Sequence, residues 1–121
     1  MAGRMTIFVV DDDDSMRRAL GRLLTAAGMT SVEFESAEQL LESNDPPPDC
    51  IVSDIHLPNL SGFEMVKRAR RRLGEVPVIF VTAFDTQNSR NEASRHPRSS
   101  YLPKPFEGVA LLRAIWSITT V

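Results

Sequence analysis

Short apolar runs, free of charge and rich in β-branched residues, recur along this chain, and each stops at a polar side chain. Residues 6–10 (Thr-Ile-Phe-Val-Val) run into four aspartates at 11–14. Residues 50–53 (Cys-Ile-Val-Ser) stop at Asp54, and residues 78–81 (Val-Ile-Phe-Val) stop at Thr82. Runs this short and this uniformly apolar read as strands buried on both faces, the pattern of a parallel sheet. Helix-like segments lie between them. In residues 15–27, Met16, Leu20, Leu23, Leu24 and Ala27 recur at offsets of 4, 7, 8 and 11 from the first, which makes one apolar helical stripe. Gly28 stands where a glycine ends such a helix.

The remaining segments extend the alternation. Residues 30–34 read as a weaker strand. Ser36 with Gln39 forms a capping-box pattern that opens a short helix, and Pro46, Pro47 and Pro48 end it. Ser61 with Glu64 repeats that pattern before a helix carrying Phe63, Val66 and Leu73. Residues 84–99 are polar, with Pro97 inside, so a fourth helix is doubtful. Residues 100–103 form a short strand ending at Lys104-Pro105. From Phe106 a last helix is expected to present Val109, Leu112 and Trp116 on its apolar face. The order is βαβαβαβαβα, which argues for a parallel sheet covered on both faces.

Composition narrows the function classes. A chain of 121 residues, 42% hydrophobic and 25% charged, has the make-up of one globular domain rather than a disordered segment. No apolar run reaches membrane-spanning length, and no secretory signal pattern is present at the N-terminus. The expected location is therefore the cytoplasm. One cysteine, Cys50, excludes a disulfide framework and a multi-cysteine zinc site. It reads as an inert core thiol. A net charge of -2 gives no electrostatic reason to expect nucleic-acid binding.

In a parallel α/β sheet the functional site lies beyond the C-terminal ends of the strands. Asp11, Asp12, Asp54, Thr82 and Lys104 all stand at such ends, and neighbouring strands would bring them to one pocket. Carboxylates so close repel by roughly 4 kcal/mol per pair at an effective dielectric of about 20. A hard divalent cation such as magnesium, with Lys104, would offset that repulsion. A carboxylate in such a pocket is a nucleophile toward a phosphoryl group, and transfer there needs positioning and charge neutralisation more than covalent help.

The residues Val-Val-Asp-Asp-Asp (9–13), Val-Ser-Asp-Ile-His-Leu-Pro-Asn-Leu-Ser-Gly (52–62), Val-Ile-Phe-Val-Thr-Ala (78–83) and Tyr-Leu-Pro-Lys-Pro-Phe (101–106) come in a specific order and spacing. With them the chain resembles the receiver domain of bacterial two-component response regulators, CheY-like and most similar to the FixJ type, over essentially its whole length. The resemblance implies a single (βα)5 flavodoxin-like domain, doubly wound, with strand order 2-1-3-4-5, spanning residues 1–121 with no effector domain in that span. It implies that Asp54 is the phosphoacceptor. Asp11, Asp12, Asp54 and the backbone carbonyl of His56 match the Mg2+ ligands. Thr82 matches the switch hydroxyl, Tyr101 the aromatic switch, and Lys104 the lysine that contacts the phosphoryl group, followed by a cis peptide to Pro105. The implied partners are a histidine kinase, an effector domain or partner protein, and a phosphorylation-dependent homodimer, without direct nucleic-acid or membrane binding. The domain is not expected to be a turnover enzyme.

Two other functions compete. A haloacid-dehalogenase-type phosphatase also forms an aspartyl phosphate, and Asp11 with Asp13 fits its nucleophile spacing. That family needs a further acidic pair after the lysine, where only Glu107 follows Lys104. A receiver-like module that binds partners without phosphorylation is the other reading. Plainer roles also apply: Asp13 or Asp14 as a helix cap, His56 and His96 as exposed side chains, and the basic run at 67–72 as a solvated helix face. The sequence departs from receivers at 88–100, where an alanine-rich helix and a Gly-Ala step are usual. Only Ala93 is apolar there, and Pro97 and Arg98 stand at the step.

Overall fold

The computed structural model describes residues 4–120; residues 1–3 and 121 of the expected domain lie outside the described residues. Five strands, β1 (Thr6–Val10), β2 (Thr30–Phe34), β3 (Cys50–Asp54), β4 (Val78–Thr82) and β5 (Ser99–Pro103), alternate with five helices. These are α1 (Asp14–Ala26), α2 (Ala37–Glu42), α3 (Gly62–Leu73), α4 (Gln87–Ser94) and α5 (Gly108–Thr119). All four strand pairings are parallel, in the order β2-β1-β3-β4-β5. This is the doubly wound (βα)5 flavodoxin-like sheet expected from the sequence.

Strand alternation divides the core in two. Phe8, Val10, Ile51 and Phe80 face α2, α3 and α4, where they meet Leu40, Met65, Val66 and Ala93. Ile7, Val9, Val52, Ile79 and Val81 face α1 and α5, where they meet Leu20, Leu24, Leu111 and Ile115. Full burial of each large aliphatic side chain contributes about 1.5–3 kcal/mol. No helix among the described residues is long and apolar enough to cross a membrane.

The local signals operate as their chemistry dictates. Asp13, not Asp14, is the N-cap of α1, accepting from the Met16 N–H at 3.1 Å. Ser36 and Ser61 cap α2 and α3 by accepting from the N–H groups of Gln39 and Glu64. Gly28 follows the end of α1 with φ 84°. At the start of α3 a side chain on Gly62 would collide with the Asp54 carbonyl. Glycine there lets α3 close directly onto the end of β3.

Three expectations need correction. The fourth helix forms. Thr86 caps it by accepting from the Ser89 N–H, and Ser89 and Ala93 are its buried residues. The expected inner face of the last helix is mostly its outer one: Val109 and Trp116 are exposed, whereas Leu111 and Ile115 are fully buried. Of the three residues named, only Leu112 packs against the core. That helix also begins at Gly108 rather than Phe106. Finally, His96 is not exposed like His56. Its side chain is only 12% exposed, stacked on Phe63 with ring centres 5.5 Å apart and set edge-on to Phe80 at 5.2 Å. The polar α4 supplies no large apolar side chain to cover Phe80, and His96, just past its end, does so.

Candidate functional site

The parallel register brings the C-terminal ends of β1, β3, β4 and β5 to one edge, and with them the polar residues that end each run. Asp11 is fully buried, Asp54 is buried, and Asp12 is exposed. Each of the three offers a carboxylate oxygen within 4.8 Å of the others. Lys104, arriving from β5, closes the cluster. Its Nζ donates to Asp11 Oδ2 at 3.1 Å and to Asp54 Oδ2 at 2.9 Å. The peptide between Lys104 and Pro105 is cis.

Each carboxylate is also held from its own loop. Asp11 Oδ1 accepts from the Asp13 N–H at 2.9 Å, and Asp54 Oδ1 from the His56 N–H at 2.9 Å. Burial pushes the Asp11 carboxyl above its ordinary range, against the Asp13 N–H and Lys104, which draw it down. Burial works against the charge on Lys104, but the hydrogen bond to Asp54 and the charge of Asp11 outweigh it and hold the ammonium above its ordinary range. Three carboxylates against one ammonium leave two negative charges uncompensated. The oxygen donors and that charge fit a hard divalent cation that keeps part of its water shell.

Thr82 and Tyr101 stand apart from this cluster. The fully buried Thr82 accepts through Oγ1 from the Phe84 N–H at 3.0 Å, and its carbonyl accepts from the Lys104 N–H at 2.7 Å. Tyr101 is half-buried, and its hydroxyl donates outward to Asp85 Oδ1 at 3.0 Å. Asp85 in turn accepts from Arg90 at 2.7 and 2.6 Å, and the Arg90 guanidinium lies 5.1 Å from the centre of the Tyr101 ring. His56 is exposed beside Asp54, its ring edge-on to Phe84 at 5.4 Å.

Two features of the site escaped the sequence reading. Arg17, on α1, is buried and donates to the main-chain carbonyl of Asp11 at 2.9 Å. Its signal in the sequence is Glu33 on β2 and Glu35 one residue past the end of that strand. Asp85 with Arg90 carries no such signal, because residues 84–99 present no periodic pattern.

A family profile described as the response regulator receiver domain matches residues 7–116. The chain belongs to that family. Among similar curated proteins is the DNA-binding transcriptional regulator NtrC of Escherichia coli strain K12, 39% identical over 93% of this chain and 25% of that protein. The transcriptional regulatory protein FixJ of Azorhizobium caulinodans is 31% identical over 95% of this chain and 55% of its own length. The receiver thus spans between a quarter and about half of these relatives. Among solved structures, chemotaxis protein CheY4 of Vibrio cholerae superposes with a TM-score of 0.88 at 24% identity, covering 96% of this chain and 99% of that one. The receiver domain of sensor histidine kinase PA1611 from Pseudomonas aeruginosa PAO1, with a magnesium ion coordinated in its active-site cleft, superposes with a TM-score of 0.86 at 26% identity. It covers 99% of this chain and the whole of that one. As a receiver, the chain is a component of two-component signalling. Membership of this family sets the phosphatase reading aside, and Asp13, the acid that reading required, is used as a helix cap.

Proposed function

We propose that this receiver is a phosphorylation switch in which Asp54 accepts a phosphoryl group from the phosphohistidine of a sensor kinase. The observation that carries the reading is Lys104 Nζ, which bridges Asp11 and Asp54 from 93 and 50 residues away in sequence. Asp11, Asp12, Asp54 and the His56 carbonyl would hold Mg2+. When bound, the ion supplies neutralisation of charge on the transferring phosphoryl oxygens. In the transfer, a carboxylate oxygen of Asp54 forms a bond to phosphorus while the phosphorus–nitrogen bond to histidine breaks, and the imidazole keeps the electron pair. The His56 N–H and Lys104 hold the carboxylate in place, and Lys104 then faces a phosphoryl oxygen.

The Thr82 hydroxyl, now accepting from the Phe84 N–H, is available to donate to the phosphoryl group. Tyr101 would turn inward as Thr82 moves. Both changes bias an existing equilibrium toward a partner-competent conformation. The output passes to an effector domain or partner protein, with dimerisation of phosphorylated copies as one route. This accords with the transcriptional regulators among the relatives. The site participates in its own phosphorylation and hydrolysis and does not turn over a separate substrate.

Intact mass after incubation with acetyl phosphate, with and without magnesium, tests the reading. The expected result is a magnesium-dependent gain of one phosphoryl group that Asp54→Asn abolishes. No gain in the wild type, or an equal gain in the mutant, would overturn it and favour partner binding without phosphorylation.

A further inference from the structure

Arg17 is the least solvent-exposed lysine or arginine among the described residues, and it does not touch the reacting carboxylate. It lies on the first turn of α1 with its side chain only 6% exposed. Nη1 donates to the Asp11 carbonyl at 2.9 Å, and Nη2 donates to Asp14 Oδ1 at 2.6 Å. From the neighbouring strand β2, Glu33 Oε1 stands 3.6 Å from Nε, and from the residue just past its end, Glu35 Oε1 stands 3.7 Å from Nη2. Three carboxylates, from α1, β2 and the loop that follows β2, therefore hold one planar guanidinium, a shape suited to several simultaneous acceptors.

The carbonyl that Arg17 holds belongs to the peptide joining Asp11 to Asp12. On its other side Asp11 is fixed by its N–H, which donates to the Phe34 carbonyl at 3.3 Å, and by its own carboxylate on the Asp13 N–H. The orientation of the 11–12 peptide decides where Asp12, exposed and otherwise without a side-chain hydrogen bond among the described residues, directs its carboxylate. Space for this arrangement is reserved one turn later. A Cβ on Gly21 would stand 2.5 Å from Glu33 Oε2, displacing a carboxylate that holds Arg17.

We propose that Arg17 is a positioning residue for the metal-binding acidic pair: by fixing the 11–12 peptide it keeps Asp11 and Asp12 aimed at one cation. The proposal rests on the magnesium-dependent reading above. Groups that orient metal ligands typically contribute about 10- to 100-fold in metal affinity. Titration calorimetry with magnesium chloride on Arg17→Met is the test, at a temperature where circular dichroism shows the variant folded. The expected result is a Kd raised about tenfold, with acetyl phosphate labelling recovering toward the wild-type rate at saturating magnesium. Arg17→Lys should fall between the two, because one ammonium cannot span the carbonyl and the carboxylates together.

A folded Arg17→Met that binds magnesium as tightly as the wild type overturns the proposal. So does a labelling rate that stays depressed however much magnesium is added. If Arg17→Met does not fold, Gly21→Ala and Glu33→Gln loosen Arg17 without removing it, and unchanged magnesium affinity in both is the overturning result. A wild-type protein that fails to bind magnesium is a different outcome. It removes the parent reading, and this proposal with it.

Discussion

The acid cluster and the α4 segment begin at the same edge of one sheet and are held in opposite ways. At the cluster, residues distant in sequence meet: Lys104 with Asp11 and Asp54, and Arg17 with Glu33 and Glu35. The participants are mostly buried, so each charge depends on its partner. Around α4 the contacts are short-range and open to solvent. Thr86 caps Ser89, Asp85 pairs with Arg90, and Gln87 bonds Asn91. Exposed pairs of that kind contribute little individually. The contrast suits a switch: chemistry needs fixed groups, whereas a responding surface needs contacts that are inexpensive to exchange. Tyr101 lies between the two, its ring in the core and its hydroxyl on Asp85.

The largest effect is expected where the buried network loses its cation. Lys104→Met should slow acetyl phosphate labelling of Asp54 by about 100-fold, the usual cost of deleting one charge-stabilising donor from a reaction site. It also leaves Asp11 with burial as its leading influence, so that carboxyl should bind a proton more readily, which carbon-detected NMR of the Asp11 side chain reads directly. Arg90→Met removes a cation of similar length from the other region and should leave the labelling rate within about twofold. Equal effects from the two substitutions would erase the distinction between the regions.

How much was legible in the sequence follows the same division. The site was legible because strands buried on both faces admit almost no polar residue except at their ends. Asp11, Asp54, Thr82 and Lys104 therefore stood out against apolar runs. Helix faces were harder. α5 is apolar on more than one side, and a 3.6-residue period does not say which stripe meets the sheet. Leu111 and Ile115 won that position over Val109 and Trp116. Arg17 was hidden because a stripe count treats every arginine as solvent-facing, whereas carboxylates on and just beyond a neighbouring strand can draw one inside. Residues 84–99 gave no period at all. Their helix is held by a cap, by Ala93 and by His96 beyond its end, and only the first two have any pattern to find.

His96 supplies an intermediate effect. Burial, with Arg70 and Lys67 of α3 nearby, holds its imidazole below the ordinary 6.5, and Glu92 only partly opposes them. Arg95 pairs with Glu92 at 3.6 Å, and the Phe63 and Phe80 rings cover two sides of the imidazole. The unfolded chain therefore takes up this proton first as pH falls. The stability associated with neutral His96 is complete above the unfolded value of 6.5 and is lost as pH drops from there through the lower native value. The urea midpoint should fall between about pH 7.5 and 5.5, and His96→Gln should flatten that dependence. A wild-type midpoint that is level across the window would show that the ring is not confined between Phe63 and Phe80.

The smallest effect is expected at Arg98, where the sequence departs from the usual receiver pattern. It stands at the step into β5 with φ 51°, a left-handed conformation that costs a side-chain-bearing residue roughly 1 kcal/mol. The conformation persists because the Arg98 carbonyl accepts from the Val78 N–H at 3.0 Å, joining β5 to the start of β4, and Ser99 Oγ donates to the Ala93 and His96 carbonyls. Arg98→Gly relieves the strain, but glycine also gains freedom in the unfolded chain, which offsets part of the benefit. The net gain should be a few tenths of a kcal/mol, read as a small rise in urea midpoint with an unchanged slope. A loss of stability would mean that the arginine side chain, whose Nη1 reaches the Glu75 carbonyl at 3.3 Å, holds the entry to β4 more firmly than backbone strain loosens it. The step would then be a deliberate clamp between the α3–β4 loop and the start of β5, and the α4 region would be less yielding than its exposed contacts indicate.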